Sequence, residues 1–473
     1  MPDLDLFQRR AYAVQPDWLL GPSAPLERAV LVVADGRIAW CGPADAPDAP
    51  AEARAAVRLA GCAIVPGFID VHHHVIEPFA KALTCGEPAQ LWRRMWLPLE
   101  AAATPARCYA GAKWTFLEAL RGGVTTIVEH AIRDRESTLA VHRAAEETGI
   151  RLVSSTGGYD LKAFETTAKA PAASASLAAT LARIEQHIAD CKAFSRIVPS
   201  VACGTVQSNS GEMIAALAEL ARERGILFQI HANEHTLEVQ SSIERYGLRP
   251  IEYLAKLGAL GQTTLVAHAT LTTPAEVELL AETDSAVAYN PVASAWKGNA
   301  VAPALLYMER GVRVGLGSDA TRNDGFRLLE AAETCQRIAY GLGADDFSCG
   351  AGWRWVHAAT AGGAAAIGLG DAIGALVPGA QADFLVLDCS GPEVNPSWDF
   401  CWELVRFYDR ADLLVTVVDG RPVYRRDRWP GATVEEFLAS AKALGLAWLD
   451  EAEIVRLHPT STEHRQAKQR AKR

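Results

Sequence analysis

The sequence predicts an α/β protein, a (β/α)8 TIM barrel with a small β-sandwich domain formed from both termini. Three observations carry that expectation. Short apolar runs alternate with helix-period stretches through the middle of the chain. Strand-and-turn texture appears near both ends. Central apolar runs stop at a histidine, or run through Gly-Ser to an aspartate.

The elements are read in chain order. Ala29 to Val33 is a strand, Asp35-Gly36-Arg37 its turn, and Ile38 to Gly42 the returning strand. Near the other end, Ala382 to Asp388 is a strand, and Leu413 to Val418 is another, with the turn Asp419-Gly420. Residues 1–65 with 376–430 are therefore assigned to one composite β domain. Val124 to Val128, Arg151 to Ser155 and Arg196 to Val201 are central strands, and Ser176 to Phe194 and Gly211 to Arg224 are helical. Repeated βα units across 66–375 fit a barrel, whose site forms at the C-terminal strand ends. Pro66-Gly67 brings the chain into it through a turn. The Ala-rich stretch Ala168 to Ala182 reads as a loop leading into a helix. Residues 431–473 read as a helical, basic tail, solvated from Arg465 onward.

An ionisable residue at the end of a buried strand costs desolvation energy unless it is paired or binds a metal. Four segments share this pattern: Val65 to His74, Ile226 to Glu234, Leu265 to His268 and Val314 to Asp319. In His72-x-His74 the two imidazoles share one face of a strand, and His73 points the other way as a structural residue. His231 adds a third nitrogen and Asp319 a carboxylate oxygen. Three His and one Asp leave a position for water, as catalytic zinc sites do. Zinc lowers the pKa of such a water towards ~7, so hydroxide is available at neutral pH. Glu234, three residues past His231, can overhang the metal and move a proton. His268 can polarise a substrate group or hold the water. Taken singly, Asp319 also reads as a helix N-cap, and Glu234 as a solvent-facing residue in a first helical turn.

Bulk properties narrow the class. With 46 basic and 56 acidic residues the net charge is −10, which argues against nucleic acid as the main partner. No segment has an apolar run long enough to span a bilayer. The ten cysteines are scattered without a CxxC pair, and the N-terminus lacks a basic and then apolar leader. Both point to a cytoplasmic protein with free thiols.

These residues resemble the amidohydrolase superfamily, and within it the mononuclear-zinc branch of cytosine, guanine and adenosine-like deaminases and s-triazine hydrolases. Pro66 to His74 is similar to the strand-1 motif, His231 to Glu234 to the strand-5 HxxE, His268 to the strand-6 His, and Gly315 to Asp319 to the strand-8 motif. Tyr246 to Leu254, and Ile373 to Gly379 with Ala382-Asp383, also look like stretches of this branch. The resemblance implies His72, His74, His231 and Asp319 as ligands of one divalent metal, with Glu234, His268 and Asp319 handling protons. Zn2+ is the expected ion, with Fe2+, Co2+ and Mn2+ as alternatives. Binuclear relatives carry a carboxylated Lys at strand 4, where this chain reads Ser200 to Thr205 without one. A homodimer or higher homo-oligomer is implied as well.

The chain departs from the branch at strand 7. Tyr289-Asn290-Pro291 stands where many deaminases have a His before the Asn/Cys-Pro, and Val292 to Asn299 replaces the usual Ser-Asn. Tyr289, Asn290 and Trp296 are therefore expected to border the substrate pocket, with Trp92 and Trp96 covering it from the loop after strand 1.

The expected activity is metal-dependent hydrolysis of a non-peptide C–N bond in a small molecule. Deamination of a heterocyclic amidine-type carbon comes first. Hydrolysis of an acyclic urea, carbamate or thiocarbamate is the alternative, and s-triazine dechlorination is third. A non-enzymatic scaffold is disfavoured, because the ligands and the proton-transfer pair are all present.

Overall fold

The computed structural model describes residues 4–85, 87, 91–161, 176–341, 343, 345, 348–426, 428–429, 434–457 and 461–471. The chain starts in a small sheet: β1 Ala11–Leu20, β2 Pro25–Glu27, β3 Ala29–Ala34, β4 Arg37–Pro43 and β5 Val57–Pro66. It then builds the barrel from β6 Phe68–His73, β7 Val124–Glu129, β8 Arg151–Gly157, β9 Ile197–Cys203, β10 Leu227–Ala232, β11 Thr264–His268, β12 Ala286–Tyr289 and β13 Arg313–Leu316. It returns to the small sheet with β14 Phe384–Asp388, β15 Leu413–Val418 and β16 Arg421–Arg425.

The barrel strands pair in parallel and in sequence order from β6 to β13. The Asp319 N–H donates to the His72 carbonyl at 2.8 Å, which draws the end of β13 onto β6. Parallel strands covered on both faces are buried along their whole length, and β7 and β8 have every residue buried, their Thr, Ser, Glu and Arg included. Ile69, Val71, Val128, Val153, Leu227, Leu265 and Ala288 fill the barrel interior. A larger core packs between the strands and the outer helices.

Those helices start where a short polar side chain can cap them. Asp134 accepts from Ser137 N ahead of the helix Arg135–Thr148, Ser176 from Ala179 N ahead of Leu177–Cys191, and Ser210 from Met213 N ahead of Gly211–Arg224. Of the Ala-rich stretch, 162–175 lies outside the described residues. C-terminal residues do more than form a tail: Trp448, on the helix Val434–Glu451, is fully buried and its indole N–H donates to the Leu99 carbonyl at 2.9 Å. No helix among the described residues is long and apolar enough to cross a membrane.

In the small domain the strands follow one hydrogen-bonded path, β16-β15-β14-β5-β1-β3-β4, with β2 added on β1. The path curls until its ends meet. A Cβ on Gly36, in the β3–β4 turn, would sit 2.9 Å from the carbonyl oxygen of Asp419, in the β15–β16 turn. The curl encloses a second core of Val14, Leu31, Val33, Phe384, Val386 and Val415. Arg151 at the start of β8 ties this domain to the barrel. It is nearly buried and pairs with Asp383 at 3.1 Å and Asp419 at 2.5 Å.

Candidate active site

Strand order places the ionisable strand ends around one barrel mouth. His72 is on β6 and His74 directly follows it, His231 is on β10, His268 ends β11, and Asp319 stands three residues past β13. The ring of His72 is 5.2 Å from that of His74 and 4.9 Å from that of His231. Asp319 Oδ1 lies 3.4 Å from His74 Nε2. One donor atom from each of His72, His74 and His231 falls within 4.8 Å of the other two, and the same holds for Glu234, His268 and Asp319.

The backbone is bent to aim these groups. φ is +72° at His268, +55° at Asp319 and +56° at Asn233. A left-handed conformation costs a non-glycine residue about 1–2 kcal/mol, so surrounding contacts must hold it. Close approach is also required at Gly317, where a Cβ would lie 2.1 Å from Asn290 Oδ1 and 2.9 Å from His72 Cβ.

The donor set fits a metal. Both ring nitrogens of His72 are buried and have no hydrogen-bond partner. An unsatisfied buried polar atom costs about 1–3 kcal/mol, and a cation that takes the lone pair removes that cost. Burial, helped by the neighbouring imidazoles, keeps His72, His74 and His231 neutral, the last two at about 3. Neutral imidazoles with one carboxylate suit a divalent zinc-type ion.

The carboxylates stay ionised. Burial would raise Asp319, but Lys297, His268 and His74 outweigh it and hold it well below its ordinary value. Glu234 is held low in the same way by His268, Lys297 and His235. Lys297 Nζ is 2.5 Å from Asp319 Oδ2 and 3.2 Å from Glu234 Oε1. Asn299 Nδ2 donates to Glu234 Oε1 at 3.1 Å. His268 Nε2 faces Glu234 Oε2 at 3.6 Å and Asp319 Oδ2 at 3.9 Å.

A cavity of about 500 Å³ opens on these groups. Trp92, Trp96, Tyr159 and Leu271 form its apolar wall, and Arg93 and Glu100 also line it. The Trp96 indole N–H is buried without a partner.

Three expected pocket residues are elsewhere. Tyr289 is fully buried and its hydroxyl donates to the Ala332 carbonyl at 3.1 Å, with its ring near Trp355. Strand alternation turns its side chain outward to the helix layer, away from the mouth. Trp296 is half-buried and does not line the cavity, although its neighbour Lys297 does. Asn290 does not line it either; its amide donates to His268 Nδ1 at 3.1 Å. Trp92 and Trp96 do line it. His73 turns from the site, with Nδ1 2.9 Å from Ser318 Oγ.

The sequence alone did not place three residues at the mouth. His130 directly follows β7, its ring 4.3 Å from that of His231 and its Nε2 3.0 Å from the Cys203 carbonyl. Its signal, a His at the end of a buried strand, is like the one that marked His268, although Glu129 stands between it and the apolar residues. Lys297 and Asn299 carried no comparable signal, because only the helix Pro291–Lys297 folding over the mouth brings them to Glu234.

Residues 63–423 match the amidohydrolase family. The chain belongs to that family. This amidohydrolase is 31% identical over 366 residues to a 5-methylthioadenosine/S-adenosylhomocysteine deaminase of Natronomonas pharaonis, covering 77% of this chain and 81% of that one. It superposes on a zinc-bound adenosine deaminase of Xanthomonas campestris with a TM-score of 0.82 at 22% identity, over 95% of this chain and all of that one. On a zinc-bound atrazine chlorohydrolase of Arthrobacter aurescens the TM-score is 0.79 at 21% identity, over 92% of this chain and all of that one. At such identities the structural likeness establishes the shared fold.

Proposed function

We propose that this amidohydrolase is a zinc-dependent aminohydrolase that deaminates the purine ring of a 5′-modified adenosine. The observation that carries the reading is the convergence of Glu234, His268 and Asp319 beside three neutral imidazoles at one aromatic-walled cavity. The substrate class is drawn from the deaminase of Natronomonas pharaonis, which is 31% identical to this chain over 366 aligned residues.

His72, His74, His231 and Asp319 would hold one zinc in the barrel mouth. When bound, zinc supplies a Lewis acid and lowers the pKa of water. Glu234, kept as a carboxylate, takes a proton from the attacking water and returns it to the departing nitrogen. Water adds to the ring carbon, the C–N bond breaks and ammonia leaves. His268 Nε2, facing both carboxylates, donates to charge that develops on the substrate. Asn290 positions His268 from behind. Lys297 acts on Glu234 and Asp319 by keeping both ionised. Trp92 and Trp96 face the flat ring, and the unpartnered Trp96 N–H matches a substrate acceptor.

Tyr289, turned into the helix layer, does not shape the pocket and so lends no support to the acyclic urea or carbamate alternative. The reading also takes the protein as cytoplasmic and as a homodimer or larger homo-oligomer, which cell fractionation and light scattering test. For the chemistry, zinc-loaded enzyme is assayed for release of ammonia, organic amine or chloride with 5′-methylthioadenosine, S-adenosylhomocysteine, adenosine, guanine, cytosine, a phenylurea and a chloro-s-triazine. A 5′-modified adenosine should turn over with kcat/KM of roughly 10⁴ M⁻¹s⁻¹ or above. Turnover of the urea or the triazine with none of the adenosines would overturn the proposal.

A further inference from the structure

The aromatic wall of the cavity is held from behind by the C-terminal part of the chain. Trp92 and Trp96, which line the cavity, lie on one π-helical turn, Trp92–Trp96, in which the Leu97 N–H reaches back to the Trp92 carbonyl. The helix Leu97–Ala101 continues from it. Turns this wide are rare and recur at functional sites.

The contacts that hold it come from residues 445–457, beyond the residues 63–423 that match the family. Trp448 is fully buried, and its indole N–H donates to the Leu99 carbonyl at 2.9 Å. Its ring is 6.5 Å from that of Phe79. A Cβ at Gly445 would sit 2.6 Å from the Phe79 ring, so the absence of a side chain lets the helix Val434–Glu451 lie flush there. Past that helix the chain meets the π turn in both directions. Val455 N–H donates to the Arg94 carbonyl at 2.9 Å, and Arg94 Nη1 donates to the Val455 carbonyl at 2.8 Å. Glu87 closes the clasp. Its buried carboxylate accepts from Arg94 Nη1 at 3.0 Å and from Leu457 N–H at 2.9 Å, with Arg456 Nε 3.8 Å away.

We propose that residues 445–457 are a strap that positions Trp92 and Trp96 for substrate, with Trp448 and Glu87 as its positioning residues. The inference rests on the reading above only in taking this cavity as the substrate site. Neither Trp448 nor Glu87 lines the cavity. The strap instead grips backbone carbonyls at Arg94 and Leu99, on either side of Trp96. It thereby sets where the indole faces stand. A flat ring gains dispersion energy only from a wall at contact distance, and a gap of about 0.5–1 Å forfeits a quarter to a half of it. Loosening the strap therefore costs substrate affinity. The histidines and carboxylates of the mouth stay in place, because they sit on the barrel strands and directly after them.

The test uses zinc-loaded full-length enzyme. Trp448→Phe keeps most of the ring packing and removes the N–H to Leu99. Glu87→Gln keeps the shape and removes the charge that holds Arg94 and Arg456. Each should raise KM by about fivefold, the worth of one hydrogen bond, with kcat and zinc content near wild type. Trp96→Ala also raises KM, and Trp448→Phe added to it should raise KM no further, because Trp448 acts through Trp96. Backbone amides of residues 92–101 should exchange with deuterium about fivefold faster in both single variants, and those of β10 and β11 at the wild-type rate. KM is read on whichever compound of the panel above turns over, so failure of the adenosine reading leaves this test standing. Unchanged KM in Glu87→Gln would overturn the proposal even if Trp448→Phe fails to fold. So would a full additional KM effect of Trp448→Phe in the Trp96→Ala background, or wild-type exchange across 92–101 in both variants.

Discussion

Asn290 Nδ2 lies 3.1 Å from His268 Nδ1, on the side of the ring away from Glu234 and Asp319. The amide donates, so His268 Nδ1 accepts and its proton resides on Nε2, toward the two carboxylates. A residue that does not line the cavity thus selects the tautomer of one that does. Asn290→Leu should lower kcat by about 10–100-fold with little change in KM, and metal content should stay at the wild-type level. Elemental analysis alongside steady-state kinetics checks it; a rise confined to KM would place Asn290 in substrate binding instead.

Glu234→Gln should keep its metal and lose activity by about 10²-fold or more, because the amide cannot shuttle the proton. Zinc content and turnover of the purified variant decide this. Near-wild-type turnover would move the proton relay to another group.

Removal of metal by a chelator should abolish activity, and added Zn2+ should restore it with one ion in the barrel mouth. Metal that binds only the folded chain also stabilises it, by about 2.7 kcal/mol when free metal is at 100 times Kd. The chelated protein should therefore melt at a lower temperature, as calorimetry with and without Zn2+ will show.

Arg151→Met should destabilise the fold by about 3–5 kcal/mol, because it strands the buried Asp383 carboxylate without its cation. Denaturant unfolding measures the loss. Activity per folded molecule should be unchanged, since Arg151 opens β8 at the opposite end from the site.

Tyr289→Phe should cost only the bond to the Ala332 carbonyl, about 1 kcal/mol, and leave the order of substrate preference unchanged. Trp96→Ala should instead raise KM for the best substrate. A changed preference in Tyr289→Phe would show that the helix layer behind β12 shapes the pocket.

Much of this protein is written locally along the chain. A strand of a parallel barrel is buried on both faces and therefore mostly apolar, so the run before His231 and that before His268 mark both the strand and the point where it stops. Period-two geometry then sends His72 and His74 inward and His73 outward, as the His73–Ser318 contact shows. The same rule applied to β12 turns Tyr289 outward, so that error lay in reasoning from a likeness of position rather than from strand phase. His130 carried the strand-end signal too, and was legible.

Other features depend on tertiary structure. Lys297 meets Asp319 and Glu234 because a short helix after β12 folds over the mouth, and nothing within residues 291–299 encodes that direction. The helix Val434–Glu451 docks Trp448 through a bond to Leu99, some 350 residues away in sequence. A strand or a cap is set by neighbours within a few residues, so sequence alone determines it. A contact between side chains on separate elements depends on how those elements pack, and packing is decided by the whole core at once.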